Sequence, residues 1–126
     1  MRVLVCGSRR WEAYGPILER LRSLDPDEDI IVEGGAPGAD LLARQAALDL
    51  GMPFFEFPAA WGRHGKGAGP RRNSRMLDQG KPDLVVAFHE DPGLGTGTRD
   101  MVEKAKAAGV ATEVHVGGDT VETIDF

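Results

Sequence analysis

Short apolar runs alternate along this chain with segments of helical spacing. Arg2-Val3-Leu4-Val5-Cys6, Ile30-Ile31-Val32, Phe54-Phe55-Glu56-Phe57, Leu84-Val85-Val86-Ala87-Phe88 and Val110-Ala111-Thr112-Glu113-Val114-His115-Val116 read as five strands. Near-continuous apolar runs rich in branched residues are what a parallel sheet covered on both faces requires. Between them, Ile17, Leu18, Leu21 and Leu24 recur at helical spacing and predict a helix from Glu12 or Pro16 to Leu24, ended by Asp25-Pro26-Asp27. An Ala- and Leu-rich segment predicts a second helix to about Leu50, with Pro37 ahead of its start and Gly51 past its end. A third helix is expected to begin at Pro70, and a fourth to run from Thr98 to Ala108 with Gly109 as its cap. Residues 117–126 read as an edge strand or a tail, after a break at Gly117-Gly118.

This alternation predicts an α/β fold, a three-layer sandwich around a mainly parallel five-stranded sheet of order 3-2-1-4-5. The chain has 126 residues and shows no repeat or linker, so a single domain over 1–126 is expected. In that strand order the carboxyl ends of strands one and four lie side by side where the direction of winding reverses, the place where open α/β sheets bind ligands. Three glycine-bearing loops follow the strands that converge there. They contribute Gly7, Ser8 and Arg9; then Gly34, Gly35, Gly38 and Asp40; then Gly95, Thr96, Gly97 and Thr98. Glycines let backbone approach a ligand closely, and the free N–H groups of a helix start favour an anion. One such loop could be a tight connection and nothing more, whereas three in one crevice argue for a phosphate-bearing ligand.

Composition narrows the choice. Hydrophobic residues make up 41% and charged residues 28%, as in a soluble globular protein. There is no apolar run of membrane-spanning length and no signal-like segment, so a cytoplasmic location without membrane contact is expected. Cys6 is the sole cysteine, which excludes an internal disulfide and a cysteine-built zinc site. The formal charge of −5 argues against a surface that coats nucleic acid. Yet Arg63, Lys66, Arg71, Arg72 and Arg75 follow one another with no acid among them, a concentration suited to a small anionic ligand.

Single residues carry weaker signals. Arg9 can grip a phosphate bidentately, and Arg72-Asn73 sits where the third helix could reach the crevice, with Met76 and Leu77 behind in the core and Arg71 and Arg75 at the periphery. Asp40 suits helix capping or loop bracing better than contact with a ligand hydroxyl. His64, His89 and His115 show no metal-ligand spacing and read as polar surface or loop, and no metal is expected. Trp11, Tyr14 and Trp61 read as packing under loops, and Cys6 as a buried strand residue. Ser8 has no sequence-evident base, and the second loop lacks the lysine of a P-loop, so a hydrolase triad, ATP hydrolysis and ordinary NAD binding are unsupported.

Four ordered motifs resemble the SLOG superfamily, in its YspA-like, cpYpsA-related branch. They are Val3-Leu4-Val5-Cys6-Gly7-Ser8-Arg9, Gly34-Gly35-Ala36-Pro37-Gly38-Ala39-Asp40, Gly65-Lys66-Gly67-Ala68-Gly69-Pro70-Arg71-Arg72-Asn73-Ser74-Arg75-Met76 and Gly95-Thr96-Gly97-Thr98-Arg99-Asp100-Met101-Val102. The resemblance implies a Rossmann-like domain that binds a nucleotide or nucleotide-derived ligand, with no cofactor. It also brings in two relatives, the LONELY GUY phosphoribohydrolases and the DNA-binding protein DprA. In the former pattern, Arg72-Asn73 and Met76 match an Arg-Lys pair followed by Met, with Asn73 replacing the Lys. Gly95, Gly97 and Thr98 match the phosphate loop, but Met101 stands where the catalytic Glu would be. Cleavage of an N-glycosidic bond needs a carboxylate beside an oxocarbenium-like centre. The candidates are Asp100, one residue earlier, and the more distant Glu33 and Asp40. The resemblance thus favours ligand binding first, hydrolysis by Arg72 and Asp100 second, and DNA binding third. A homodimer joined through helices beside the sheet is a further option that it implies.

Overall fold

The structure is a computed structural model that describes residues 1–60, 62, 65–117 and 121–124, with backbone alone at Lys66 and at 121–124. Six strands form one sheet of order β3-β2-β1-β4-β5-β6. In chain order they are β1 (Arg2–Gly7), β2 (Ile30–Glu33), β3 (Phe54–Glu56), β4 (Leu84–His89), β5 (Ala111–Gly117) and β6 (Val121–Ile124). The first five are parallel in the order expected, and β6 adds an antiparallel edge strand beside β5 through the pairs Val114–Ile124 and Val116–Glu122. Among the fully described elements, four helices accompany them: α1 (Tyr14–Arg22), α2 (Ala39–Leu50), α3 (Ala68–Gly80) and α4 (Gly95–Ala107).

The period-2 alternation of the two central strands sends side chains to opposite faces and so divides the core. Val3, Val5, Val86 and Phe88 pack with Ile17 and Leu21 of α1 and with Ala39, Ala43, Ala46 and Ala47 of α2. Leu4, Cys6, Val85 and Ala87 pack on the other face with Met76 of α3 and Met101, Val102 and Ala105 of α4. The small alanines of α2 let that helix lie close to the sheet. Trp11 is buried against Phe88 with ring centroids 5.6 Å apart, and its Nε1 donates to the Ala13 carbonyl at 2.7 Å. At the outer edge, β3 leaves Phe55 exposed, and Glu56 engages Arg44 of α2 at 3.0 Å.

Several boundaries differ from the sequence pattern. α4 begins at Gly95 rather than Thr98, so the glycine-rich stretch is the first turn of the helix and not a loop before it. α3 begins at Ala68, preceded by a single 3-10 turn over Gly65–Gly67. Gly117 closes β5 instead of breaking it, while Gly118, Trp61, Arg63, His64, Asp125 and Phe126 lie outside the described residues. Among the described residues, no helix is long and apolar enough to cross a membrane.

Two glycines fix the junction of β1 with its surroundings. Gly7 packs against β4 so closely that a Cβ would fall 2.0 Å from the Phe88 carbonyl oxygen. Gly38 (φ +81) lies over Ser8 and Arg9, where a Cβ would come 2.2 Å from the Ser8 oxygen. Gly51 also has positive φ (+70) at the end of α2, but a Cβ there would meet nothing within 4 Å. Gly38→Ala should therefore lower stability by on the order of 3 kcal/mol, and Gly51→Ala by about 1 kcal/mol. Urea unfolding midpoints of the two variants check this ranking, and equal losses would contradict it.

Candidate functional site

The carboxyl ends of β1 and β4 open into a cavity of about 750 Å³. Its walls come from the β1 end (Cys6–Arg10), the start of α2 (Ala36, Asp40), α3 (Pro70, Arg72, Asn73, Met76), the β4 end (His89–Asp91) and the first turns of α4 (Leu94–Thr98, Asp100, Met101). The floor is backbone in close contact. The Ser8 N–H donates to the Phe88 carbonyl at 2.9 Å, and the Ser8 carbonyl accepts the N–H groups of Ala39 (3.1 Å) and Trp11 (3.3 Å).

α4 opens toward this cavity without a side-chain cap. Leu94 occupies the N-cap position with φ +68, and its side chain is fully buried. The N–H groups of a helix's first turn have no partner within the helix, and together with the dipole they attract an anion. Arg72 lies across the cavity. Its Nη1 donates to the Gly34 carbonyl at 2.7 Å and its Nε to Asn73 Oδ1 at 3.0 Å, so the guanidinium is oriented from two sides. Gly34 makes room for it: a Cβ there would sit 2.2 Å from Arg72 Nη1. Buried Asn73 completes the tie between α3 and α4, its Nδ2 donating to the Gly97 carbonyl (3.2 Å) and to Asp100 Oδ2 (3.0 Å).

The acids divide into distinct environments. Asp100 borders the cavity, and its Oδ2 also meets Lys104 Nζ at 3.0 Å. Asp40 is nearly buried in the first turn of α2 and accepts the Ala36 N–H at 3.2 Å, the bracing role, while also lining the cavity. Burial pushes its pKa up to about 6, against the opposing pull of Arg72, the Ala36 and Gly34 N–H groups and Arg9. Glu33 lies away from the large cavity. It is fully buried at the end of β2, with Oε1 accepting the Gly35 N–H at 2.8 Å and Oε2 without a hydrogen-bond partner. Burial, with Glu56 beside it, pushes its pKa up to about 8. Burial likewise raises the Cys6 thiol, which stays protonated and unreactive.

The residues picked from sequence fall into three places. Gly7, Ser8, Arg9, Asp40, Arg72, Asn73, Gly95, Thr96, Gly97, Thr98 and Asp100 all line the large cavity. Gly34 and Gly35 line a smaller recess of about 190 Å³ that shares Arg9, Ala36 and Arg72 with it. Gly38 serves the backbone junction described above. Met101, at the position of the expected Glu, is buried in the core between α4 and the sheet.

Three residues were missed or misread. Reading the histidines as polar surface or loop fails for His89, which ends β4, is 9% exposed and faces the cavity. It fails also for His115, a β5 residue stacked on Phe88 at 4.9 Å with Nε2 3.1 Å from Glu113. Glu90 accepts the Ser8 hydroxyl at 2.7 Å, a partner for Ser8 that lies 82 positions away in sequence. Among the described residues, no cluster of His, Cys, Asp and Glu could hold a metal ion.

The buried acids make stability depend on pH. Glu33 titrates near 4.5 in the unfolded chain and near 8 in the folded protein, so between these values the folded state keeps a proton that the unfolded state has released. Stability therefore falls as pH rises through this window. Asp40 adds the same sign between 3.8 and about 6. Glu33→Gln should flatten the fall and stabilise the protein at pH 9. Urea midpoints at pH 5, 7 and 9 measure it, and an unchanged slope would reject this role for Glu33.

Comparison with known proteins places this geometry. No curated protein matches the sequence. Among solved structures, the X-ray structure of DNA processing protein A (DprA) from Streptococcus pneumoniae superposes with a TM-score of 0.58 at 19% identity, over 94% of this chain and 59% of that one. The likeness establishes the Rossmann-like fold, and this chain spans a little under three fifths of the DprA chain. Residues 1–64 supply β1, the turn with Gly34 and Gly38, α2 and β3, and it is this half of the sequence that matches the family model of YspA, cpYpsA-related SLOG proteins (YAcAr). The chain belongs to that family.

Proposed function

We propose that the protein binds a nucleotide or nucleotide-derived ligand in the cavity, as a sensor, carrier or sequestering protein. The observation that carries this reading is the uncapped, glycine-rich first turn of α4 facing the oriented guanidinium of Arg72 across a cavity of about 750 Å³. A phosphate on the N–H groups of Gly95 to Thr98 would meet the helix dipole on one side and Arg72 on the other, with Arg9 at the rim. Asp40 and the hydroxyls of Ser8 and Thr98, which line the same cavity, would meet ribose hydroxyls. The reading takes residues 1–126 as one cytoplasmic domain, with a homodimer as an option.

Hydrolysis of a nucleoside monophosphate at its N-glycosidic bond is a second reading, supported by Asp100 on the same wall as the phosphate turn. Arg72 would orient the phosphate and Asp100 would act on water. The bonds from Asn73 and Lys104 make Asp100 a better anchor than base, and so favour binding over cleavage. Single-strand DNA binding, suggested by the DprA likeness, has the net charge of −5 against it.

Calorimetry with nucleoside monophosphates, cyclic nucleotides and ADP-ribose derivatives tests the first reading. At least one should bind, and Arg72→Ala should weaken it by about tenfold or more, the worth of a charged hydrogen bond. Gly34→Ala, which displaces the guanidinium, should weaken it in the same direction. Binding indifferent to both variants, or no binding across the panel, would refute it. Chromatographic release of a free base that is lost in Asp100→Asn would establish the second reading instead.

A further inference from the structure

His89 stands at the open end of α4 with one ring nitrogen committed and the other unused. Nδ1 accepts the Asp91 N–H at 2.9 Å. A neutral imidazole carries one proton, so an acceptor at Nδ1 places that proton on Nε2. This tautomer is assigned from the hydrogen-bond partner. Nε2 faces Gly95, lying 3.2 Å from the point that a Cβ of that residue would occupy, and the ring lines the cavity. Among the described residues, no acceptor lies within hydrogen-bond reach of Nε2.

The turn holds the ring in place. Asp91 Oδ1 accepts the Gly93 N–H at 2.8 Å, and the Asp91 carbonyl accepts the Leu94 N–H at 2.9 Å. The backbone that binds Nδ1 is the same backbone that delivers the chain to the first turn of α4. The residue is only 9% exposed and its ring lines the cavity, so the Nε2–H is left to meet whatever occupies that space. An oxyanion on the N–H groups of the same turn would supply its acceptor.

We propose that His89 is a ligand-contacting residue whose Nε2–H donates to an oxygen of the oxyanion seated on the first turn of α4, with a phosphate monoester as the ligand class. The proposal rests on the reading of that turn as a phosphate site. A monoester offers three outer oxygens, enough for the helix N–H groups, the Arg72 guanidinium and His89 to have separate acceptors. His89 extends the donor set without fixing another positive charge in the cavity.

Two substitutions separate the two ring nitrogens. His89→Asn can hold the Asp91 N–H through its carbonyl, but its amide N–H groups stop short of the position of Nε2; His89→Gln can place an amide N–H near that position. With AMP and inorganic phosphate as probes, calorimetry should show His89→Asn about tenfold weaker than the parent and His89→Gln within about threefold of it. Long-range ¹H–¹⁵N NMR of the free protein should show the Nε2–H tautomer for His89, and its Nε2 resonance should move on addition of phosphate. A Nδ1–H tautomer overturns the proposal without any ligand. Binding that Arg72→Ala weakens but His89→Asn leaves unchanged overturns it while the phosphate site stands, and failure of both probes to bind overturns it while the reading of the cavity is decided by the wider nucleotide panel.

Discussion

The closeness of the backbone at the end of β1 is the constraint on which the remaining architecture depends. Gly7 lies against Phe88, Ser8 donates to one neighbour and accepts from two others, and Gly38 closes over the carbonyl of Ser8. Main chain from β1, β4 and the start of α2 meets there with only the Ala39 methyl group beside Gly7. This contact sets the depth of the crevice and brings the start of α2 to its wall. Larger residues at these points would push the elements apart, and the groups that face the cavity would lose their common target. The alternating faces of β1 and β4 do the complementary task of seating two helices on each side of the sheet, so that the crevice has walls as well as a floor.

The carboxylates around the cavity are engaged by neighbouring donors of the protein itself. Asp100 is occupied by Lys104 and Asn73, Glu90 by the Ser8 hydroxyl, and Asp91 by the N–H of Gly93. Burial raises the pKa of Asp40 to about 6, against the pull of Arg72 and of the Ala36 N–H that its carboxylate accepts. Net charge over the whole chain says little about this local balance, because screening confines exposed charges to short range while partly buried groups act on each other strongly.

Much of the fold was legible because it rests on local pattern. The apolar runs gave the strands, and their alternation with helices gave the parallel order through β5. Buried Cys6, Met76 and Trp11 followed from residue type. The lining of the cavity was legible where glycine permits close approach, as at Gly7 and Gly95, and where Arg72 follows a helix start. What could not be read depends on pairing across distance or on direction. His89 carries no spacing signal, and only the return of the Asp91 N–H to its ring fixes its orientation. The Ser8–Glu90 bond joins the ends of two strands that only the sheet order makes neighbours. Glu33 sits between two site glycines and a buried strand, and its turn toward β3 instead of the large cavity follows from the pleat. The start of α4 at Gly95 was hidden because glycine is a poor helix former, and the tertiary contact of Leu94 overrides that preference.

The edge formed by β3 has a consequence for the protein's behaviour in company. A sheet edge presents unpaired N–H and C=O groups that can recruit a strand from another chain. Here the edge is three residues long, with Phe55 exposed and Glu56 beside it tied to Arg44. A strand of that length offers few bonds to an incoming partner, and the ion pair sets charge where a stacked chain would need apolar contact. The exposed phenyl ring is thus carried on a segment too short and too charged to template stacking, and the protein keeps an open edge with little tendency toward fibre growth from it.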